Sequence, residues 1–333
     1  MATIVDVAQL AKVSIASVSR YLNSPEMLRP EMQERIRAAI EELEFQPSRL
    51  AVSMRTNKTN TIALIIPSLT NLCYIDIYGA LRDRLLKRGY TVNLYTTERD
   101  EDELRRSLDS LHQHHYDGVV IAYLDEIGVR RMLEQMEREI PMVLITSDPS
   151  QENISNVFLD ARDAIFKATR HLLDIGCQRI GYVGGAPNSI IAVEKYQGFS
   201  SAMRQAGMDT ENCPIYYGRK QHFSSGINAI NDFLRRGPLP DGIVCETDDV
   251  GIGCIKQLKH HKIAIPREVA VSSMNNISII QSYEPELTTV APPLEEMIET
   301  TTDLLLTLIQ NRQAPRTRVP FQGRLIVRNS TVE

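Results

Sequence analysis

Cysteine is scarce in this chain of 333 residues, and long hydrophobic runs are missing. The five cysteines have scattered spacings and form no CxxC pair, which favours reduced thiols over disulfides or a zinc site. No apolar run approaches the ~18 residues that a membrane-spanning helix needs. The amino-terminal segment also lacks the basic and then apolar layout of a secretory signal. We therefore expect a cytoplasmic protein that has no membrane partner.

The motifs of several common enzyme classes are also lacking. There is no GxSxG elbow, no HExxH zinc motif and no P-loop, and the glycines at 184–185 and 251–253 are isolated fragments. A histidine group, His112, His114 and His115, lies at the polar end of a predicted helix, which favours a solvated face over a metal site. We expect no enzyme activity, no metal and no cofactor.

An overall excess of positive charge, which is common in nucleic-acid-binding proteins, is absent, because the net charge is −5. The charge is unevenly distributed, however. Residues 1–60 carry 8 basic and 7 acidic side chains, which leaves 29 basic and 35 acidic side chains in the rest of the chain. The acidity therefore lies in the body, and the amino-terminal part is free to approach phosphate groups.

The amino-terminal residues predict a small helical domain without strands. Thr3 is placed to cap a first helix, and Ser14 to cap a second helix that runs from Ile15 to Leu22. We expect Pro30 to begin a third helix and Pro47 to end it. The following residues, 48–60, are polar and basic and predict a linker with a short helix at its start.

From residue 61 onward the pattern changes to alternating strands and helices. Seven short β-rich runs stand out: TIALII, TVNLYT, GVVIAY, MVLIT, RIGYVGG, GIVCE and VAVSSM. Amphipathic helical stretches separate them, which predicts parallel sheets in an α/β layer fold. Some 270 residues of this pattern are enough for two lobes with a cleft between them.

The second helix has the features of a DNA recognition helix. Its Val18 and Leu22 face inward, while Ile15, Ala16 and Arg20 point away from that apolar face. Arginine can donate two hydrogen bonds to guanine, and isoleucine or alanine can contact a thymine methyl group. Spacing alone leaves a generic three-helix bundle with an exposed arginine as the alternative.

Two long runs carry a resemblance to a known family. DVAQLAKVSIASVSRYLN and RIRAAIEELEFQPSRLAVSMRTNKTNTIALIIPSLTN resemble the lactose/galactose repressor family of bacterial transcription regulators almost without gaps. The match continues in order through HLLDIGCQRIGYVGG, TDDVGIG and IPREVAV in the body. The resemblance implies a DNA-binding head, a hinge helix and a periplasmic-binding-protein-like sensor, which work as a homodimer on double-stranded operator DNA.

This resemblance predicts an α/β chain with three parts. They are a helix-turn-helix head at 1–47, a hinge helix and linker at 48–60, and a two-lobed effector-binding sensor with parallel sheets at 61–333. The chain passes between the lobes more than once, so that the first lobe covers about 61–159 and 291–321, and the second about 160–290 and 322–333.

The same resemblance implies a set of DNA contacts. We predict them at Ser14, Ile15, Ala16, Ser17, Arg20, Asn23, Arg49, Ala51, Met54 and Arg55. Four positions in and beside this set depart from common members of the family. Lys12 replaces a usual glycine in the turn, Ile15 and Ala16 replace a polar pair, and Met54 replaces the hinge leucine. Methionine is long and apolar and could still insert between base pairs in the minor groove.

The resemblance also implies an effector site at the carboxyl ends of the strands, where open α/β sheets bind ligands. The predicted contacts are Asn71, Tyr74, Lys195, Thr247, Asp248 and Asn275. For each of these taken alone, a solvated lysine or a helix-capping aspartate is the competing explanation. Lys195 stands where arginine is usual and Asn275 where aspartate is frequent. This loss of negative charge favours a sugar acid or sugar phosphate over a neutral sugar.

Two further function classes compete with a transcription regulator. The body alone would fit an extracytoplasmic solute receptor, but the missing signal sequence and the helical head argue against that class. A binding module without a DNA target would remain if the head did not bind DNA. We predict a sequence-specific DNA-binding transcription regulator, a repressor, whose operator binding responds to a small sugar-like effector.

Overall fold

The structure, a computed structural model, describes residues 2–45, 58–98, 100–122, 130–146, 153–185, 189–218 and 222–332. The chain divides into two compact units, a small one over Met1–Thr59 and a large one over Asn60–Glu333. The small unit is referred to below as the head and the large one as the sensor.

The head consists of three helices around one small core. They are α1 (Ile4–Leu10), α2 (Ile15–Asn23) and α3 (Pro30–Glu42), with a 3-10 turn at Pro25–Met27. A reciprocal capping box begins α1, in which Thr3 and Asp6 each bind the other's backbone N–H. The core is formed by buried apolar side chains from all three helices and the residue that follows them: Val7, Ala8, Ala11, Val18, Ile36, Ala39 and Phe45.

The third helix ends earlier than the sequence predicted. It stops at Glu42 rather than at Pro47, which lies outside the described residues. Glu44 adopts a left-handed conformation with φ of 46°, and the Phe45 N–H donates to the Ile40 carbonyl oxygen at 3.0 Å. These are the features of a Schellman motif, so backbone hydrogen bonding ends α3 before the proline is reached.

The sensor contains two six-stranded sheets. The strands of the first sheet lie in the order β11-β5-β4-β3-β1-β2, and those of the second in the order β12-β10-β9-β8-β6-β7. All neighbouring strands are parallel except β12, which runs antiparallel to β10. The predicted α/β fold with parallel sheets is confirmed.

The strands of the first sheet are β1 (Thr61–Ile66), β2 (Thr91–Thr96), β3 (Gly118–Ala122), β4 (Met142–Thr146), β5 (Ser155–Leu159) and β11 (Arg318–Phe321). Those of the second sheet are β6 (Ile180–Gly184), β7 (Ile215–Tyr217), β8 (Gly242–Cys245), β9 (Ala270–Met274), β10 (Thr288–Ala291) and β12 (Arg324–Ile326). The chain therefore crosses between the lobes three times, after β5, after β10 and between β11 and β12.

Helices cover the faces of the two sheets. The first lobe contains α4 (Cys73–Leu86), α5 (Glu101–His114), α6 (Arg130–Glu139) and α11 (Leu294–Gln310). The second lobe contains α7 (Ala161–Asp174), α8 (Ile190–Gln205), α9 (Phe223–Arg236) and α10 (Asp248–His260), with a 3-10 segment at Ser278–Ser282. No helix in the described part of the chain is long and apolar enough to cross a membrane.

The strands that the sequence analysis did not identify are short and partly polar. β5 contains a buried serine and asparagine, and β7 has only three residues. β11 contains Pro320, which a strand tolerates because β11 lies at the edge of its sheet. Hydrophobic patterning does not identify such segments, since their pairing depends on neighbours far away in the sequence.

Two pairs of second-lobe helices approach closely at glycines. Gly226 of α9 faces Val250 and Cys254 of α10, and Gly253 of α10 faces the Phe223 backbone at the start of α9. Gly198 of α8 likewise meets the backbone of α7. A side chain at any of these positions would overlap backbone atoms of the partner helix. These glycines therefore bring α10, and the residues at its amino end, close to the neighbouring helix.

Candidate DNA interface and effector cleft

The first turn of α2 is presented to solvent. Ile15 is 48% exposed although it is a large apolar residue, and Ala16 and Arg20 are exposed as well. On the opposite side of the helix, Val18 is fully buried against the head core and Leu22 is half-buried. The apolar face therefore attaches α2 to the core of the head, while Arg20, Ile15 and Ala16 are exposed on the outer face of the helix.

The turn before α2 is held by hydrogen bonds at both ends. Lys12 has φ of 53°, and the Val13 N–H donates to the Ala8 carbonyl oxygen at 3.0 Å, which ends α1 in a Schellman motif. Ser14 then caps α2 by accepting from the Ser17 N–H at 3.1 Å. Arg35 of α3 donates to the Lys12 carbonyl oxygen at 2.8 Å. These contacts fix the angle between the two helices of the motif.

The predicted DNA contacts are only partly within the described residues. Ser14, Ile15, Ala16, Ser17 and Arg20 all lie on the first six residues of α2 or its cap, and the Ser14 and Ser17 hydroxyls lie 2.9 Å apart. The side chain of Asn23 and the hinge residues lie outside the described part of the chain, the latter being Arg49, Ala51, Met54 and Arg55.

A cavity of about 120 Å³ lies between the two lobes of the sensor. Its first-lobe wall comes from α4, β4 and β5, with apolar side chains such as Ile77 and Leu159. Asn275 and Asn276, which follow β9, line it from the second lobe. The cavity therefore adjoins the carboxyl ends of strands from both sheets, where sequence reasoning placed the effector.

One side chain of α4 joins the lobes directly. The Ser278 N–H and hydroxyl donate to the two carboxylate oxygens of Asp76, each at 3.0 Å. Asp76 also lines the cavity. This paired contact connects the helix after β1 with the segment after β9, so a ligand in the cavity would lie beside an existing bridge between the lobes. Sequence reasoning did not identify Asp76.

The carboxylate of Asp248 is fully buried and fully bonded. It accepts from the Ser273 hydroxyl at 2.5 Å, the Thr289 hydroxyl at 2.7 Å and the Ile277 N–H at 2.8 Å. Burial raises its pKa to about 6, although these hydrogen bonds act in the opposite direction. Its bonds hold the ends of β9 and β10 and the turn between them and Ser278. Asp248 therefore positions the cavity wall, which is a structural role that the prediction of a ligand contact did not include.

The turn that Asp248 holds has an unusual backbone. Asn275 has φ of 119° and Asn276 has φ of 54°, a region that asparagine tolerates better than most residues. The Asn275 N–H donates to the Val290 carbonyl oxygen at 3.0 Å, and Arg328 donates to the Asn276 side-chain oxygen at 2.7 Å. These bonds keep both asparagines at the cavity wall.

Lys195 is 2% exposed, although lysine is among the residues least often buried. Its Nζ donates to the Glu246 carbonyl oxygen at 3.2 Å, so it lies at the carboxyl end of β8. Thr247 is also buried there and caps α10. The structure thus brings Lys195, Thr247 and Asp248 together at one end of β8, but none of the three is among the described side chains that line the cavity, and their contact with an effector remains a prediction.

The first-lobe residues Asn71 and Tyr74 lie near the cavity in sequence but not in its wall. The Asn71 side-chain oxygen accepts from the Cys73 N–H at 3.1 Å, and Tyr74 is 2% exposed within the hydrophobic core. Neither residue is among the described side chains that line the cavity, whereas the neighbouring Cys73 is. Their contact with an effector remains a prediction.

Two acidic residues beside this set were overlooked by sequence reasoning. Glu246 and Asp249 are both fully buried, and within the described residues no side chain donates a hydrogen bond to either carboxylate, although the Leu72 backbone N–H lies close enough to lower the pKa of Asp249. Burial and the neighbouring Asp248 raise the pKa of Asp249 to about 7. The signal was present in the sequence, because ETDD places three acidic residues directly after a buried strand. The described residues contain no group of three or more His, Cys, Asp and Glu side chains that could hold a metal.

Comparisons with known proteins agree with this arrangement. Residues 3–48 match the model for bacterial regulatory proteins of the lacI family, and residues 169–331 match a periplasmic binding protein-like domain. The chain is 26% identical over 332 residues to the HTH-type transcriptional repressor PurR of Aliivibrio salmonicida, with 99% of each chain covered. It is 28% identical over 330 residues to the Ribose operon repressor of Escherichia coli, covering 99% of this chain and all of the relative.

Solved structures show the same architecture. A complex of the transcriptional regulator CelR with cellobiose superposes with a TM-score of 0.74 at 28% identity, covering 99% of this chain and 100% of the other. The lac repressor dimer bound to operator and the anti-inducer ONPF gives a TM-score of 0.89 at 21% identity, covering 100% and 99%.

A helix-turn-helix head followed by a two-lobed sensor with a cavity between its lobes defines a DNA-binding transcription regulator that carries its own small-molecule sensor. The chain carries a DNA-binding head of the lacI family of bacterial regulatory proteins, followed by a periplasmic-binding-protein-like domain. The resemblance stated from the sequence is therefore confirmed, and so is the function class.

Proposed function

We propose that the protein is a cytoplasmic repressor that binds operator DNA as a homodimer and changes its operator affinity when a small molecule occupies the cleft between its lobes. The observation that carries this proposal is the difference between the two faces of α2. One face buries Val18, while Ile15, Ala16 and Arg20 are exposed on the other. A helix presented in this way can enter the major groove with its first turn.

The relatives support the same role. Two of them are transcriptional or operon repressors, and the lac repressor structure is a dimer bound to its operator. A homodimer would present two copies of α2 to two half-sites, which is why such operators are pseudo-palindromic. We infer that the hinge residues Arg49, Ala51, Met54 and Arg55 contact the DNA between the half-sites.

The effector would act through the two lobes of the sensor. A ligand in the cleft that binds one arrangement of the lobes more tightly shifts the population toward that arrangement. The resulting change in operator affinity equals the difference in ligand affinity between the two arrangements, typically ~1–3 kcal/mol. The bridge between Asp76 and Ser278 is a contact whose geometry such a shift would alter. No enzymatic step is needed for this role, and we propose none.

Substitution of Arg20 tests the proposed sequence-specific DNA binding. An operator is first selected from random DNA with the full-length protein, and fluorescence anisotropy then measures binding of wild type and Arg20→Ala. We expect Arg20→Ala to lose ~1–3 kcal/mol on the operator and to relax discrimination at one base pair, because arginine reads guanine through two hydrogen bonds.

Arg37→Ala is the matched control, since Arg37 is also an exposed arginine of the head but pairs with Glu34 and Glu41 on α3. It should leave operator selectivity unchanged. Equal losses for Arg20→Ala on operator and on random DNA would reassign Arg20 to a phosphate contact. Failure of the wild type to select any sequence would overturn the proposed function.

A further inference from the structure

The amino end of α4 contacts the second lobe through carboxylates from both sides. Asp76, in the first turn of α4, accepts from the N–H and the hydroxyl of Ser278, each at 3.0 Å. In the opposite direction, the Leu72 N–H, directly before α4, lies close enough to the Asp249 carboxylate to stabilise its charged form. Each lobe therefore offers a carboxylate to a backbone N–H of the other lobe.

Both of these N–H groups belong to the start of a helical segment. Leu72 is the N-cap residue of α4, and Ser278 begins the 3-10 segment whose N-cap residue is Ile277. Neither Leu72 nor Ile277 caps its segment with its own side chain. Because the first N–H groups of a helix have no partner within the helix, they need an acceptor from elsewhere. The two lobes exchange that acceptor, so their separation would remove it from both helix starts.

Apolar contacts accompany the exchanged carboxylates. Leu72 and Cys73 pack against the buried hydrophobic core of the second lobe, which includes Val250 and Ile277. Removal of this apolar surface from water favours the same arrangement of the lobes. Cys73 and Asp76 also line the cavity, so the contact borders the site proposed for the effector. Leu72, Asp76, Asp249 and Ser278 are referred to below as the clasp.

The chain enters the sensor on the lobe that carries α4. The Asn60 N–H donates to the Asp117 carboxylate at 2.9 Å, and the Asn60 carbonyl oxygen accepts from the Thr91 N–H at 2.9 Å. These bonds fix the residue before β1 to the first lobe. Any movement of the first lobe relative to the second therefore moves this entry point as well, and the clasp is a contact that restrains such movement.

We propose that the clasp holds the two lobes in the arrangement of this structure, and that this arrangement sets operator affinity when no effector is bound. Asp76 and Ser278 are then positioning residues, which act on operator binding through the lobes. A ligand in the cavity lies beside Asp76 and changes operator affinity by favouring or opposing the clasp. This inference rests on the proposed function, which couples the lobes to operator binding.

Asp76→Ala tests the clasp in the full-length protein with no effector added. Fluorescence anisotropy measures affinity for an operator that the wild type has selected from random DNA. We expect operator affinity to change about 5- to 30-fold, in the lower part of the usual range of allosteric coupling, because two charge-assisted hydrogen bonds between the lobes are lost.

Asp83→Ala is the matched control for this substitution. Asp83 is also an aspartate of α4, but it pairs with Arg82 of the same helix. Because an exposed pair of this kind contributes little, Asp83→Ala should leave operator affinity within about twofold of the wild type.

A second variant separates a specific pair from a general loss of packing. Ser278→Ala removes the hydroxyl and keeps the backbone N–H, so it should change operator affinity in the same direction as Asp76→Ala but less. The double variant should match Asp76→Ala alone, because the hydroxyl then has no acceptor to lose. Hydrogen exchange on the same proteins should be faster than in the wild type at Ser278 in Asp76→Ala, and unchanged in the helices of the head.

Unchanged operator affinity in Asp76→Ala would overturn the proposal even if its stability toward urea fell, since the contact would then be structural only. Fully additive effects of Asp76→Ala and Ser278→Ala, or wild-type exchange at Ser278 in Asp76→Ala, would refute the clasp as well. These results leave the proposed function intact, because the wild type still binds its operator. If the wild type selected no operator, the proposed function itself would fail, and this inference with it.

Discussion

Gly253→Ala tests how closely α9 and α10 must approach. The new Cβ would overlap the Phe223 carbonyl oxygen and stand 2.9 Å from the carbonyl carbon, so the two helices would have to separate. Both obstacles are backbone atoms, which cannot rotate away as a flexible side chain could. Gly226 of α9 meets α10 in the same way, so the crossing is tight from both sides.

The magnitude follows from two opposing terms. Alanine in a helix interior gains ~1 kcal/mol over glycine, whereas overpacking a well-filled contact costs ~1–3 kcal/mol or more. Because the clash is with backbone, we place the cost at the upper end and expect Gly253→Ala to lose about 2 kcal/mol. Gly79→Ala is the matched control. Gly79 is a helical glycine of α4 with no atom within 4 Å of the added Cβ, so it should gain up to about 1 kcal/mol.

Urea and thermal unfolding of the full-length variants measure this difference. The chain has no tryptophan, so circular dichroism is the appropriate signal. A difference of about 3 kcal/mol between the two alanine variants corresponds to a midpoint separation of roughly 6–12 °C for a domain of this size class. If Gly253→Ala were as stable as Gly79→Ala, the close approach of α9 and α10 would be refuted.

Two further predictions concern the head and the cleft. Lys12→Gly should stabilise the head by up to about 1 kcal/mol, because a φ of 53° is costly for a residue with a side chain. Amide exchange across α1 to α3 should then be slower than in the wild type, and faster exchange would contradict the prediction. Asp249→Asn should change the pH dependence of stability. A raised carboxyl pKa of about 7 stabilises the folded state at low pH, and that contribution is lost as pH rises from about 4 through 7. The stability of Asp249→Asn relative to wild type should therefore rise over this range in urea titrations and level off above it, whereas a constant difference would show that Asp249 does not titrate there.

Much of the architecture was predictable because the sequence patterns that indicate its strands and helices involve residues close together in the chain. The long buried strands such as TIALII and MVLIT have a continuous apolar pattern, and the caps Thr3, Ser14 and Thr247 act within their own helices. The recognition helix is likewise visible in the alternation of Val18 and Leu22 with Ile15 and Arg20. Family motifs then ordered these elements into a head and a sensor, which the comparisons confirmed.

The sequence by itself therefore determined the element types, the family and the region of the effector site, since each depends on residues close together in the chain. Only the tertiary structure decided which partners each acidic residue meets. Asp248 and Asp249 are neighbours of identical chemistry, yet Asp248 accepts from Ser273, Ile277 and Thr289, which lie 25 to 41 residues away, while no side chain in the described part of the chain donates to Asp249. Similarly, Asp76 bridges the lobes to a serine 202 residues away. Which partner a buried charge receives depends on how distant strands are brought together, and no local pattern contains that information.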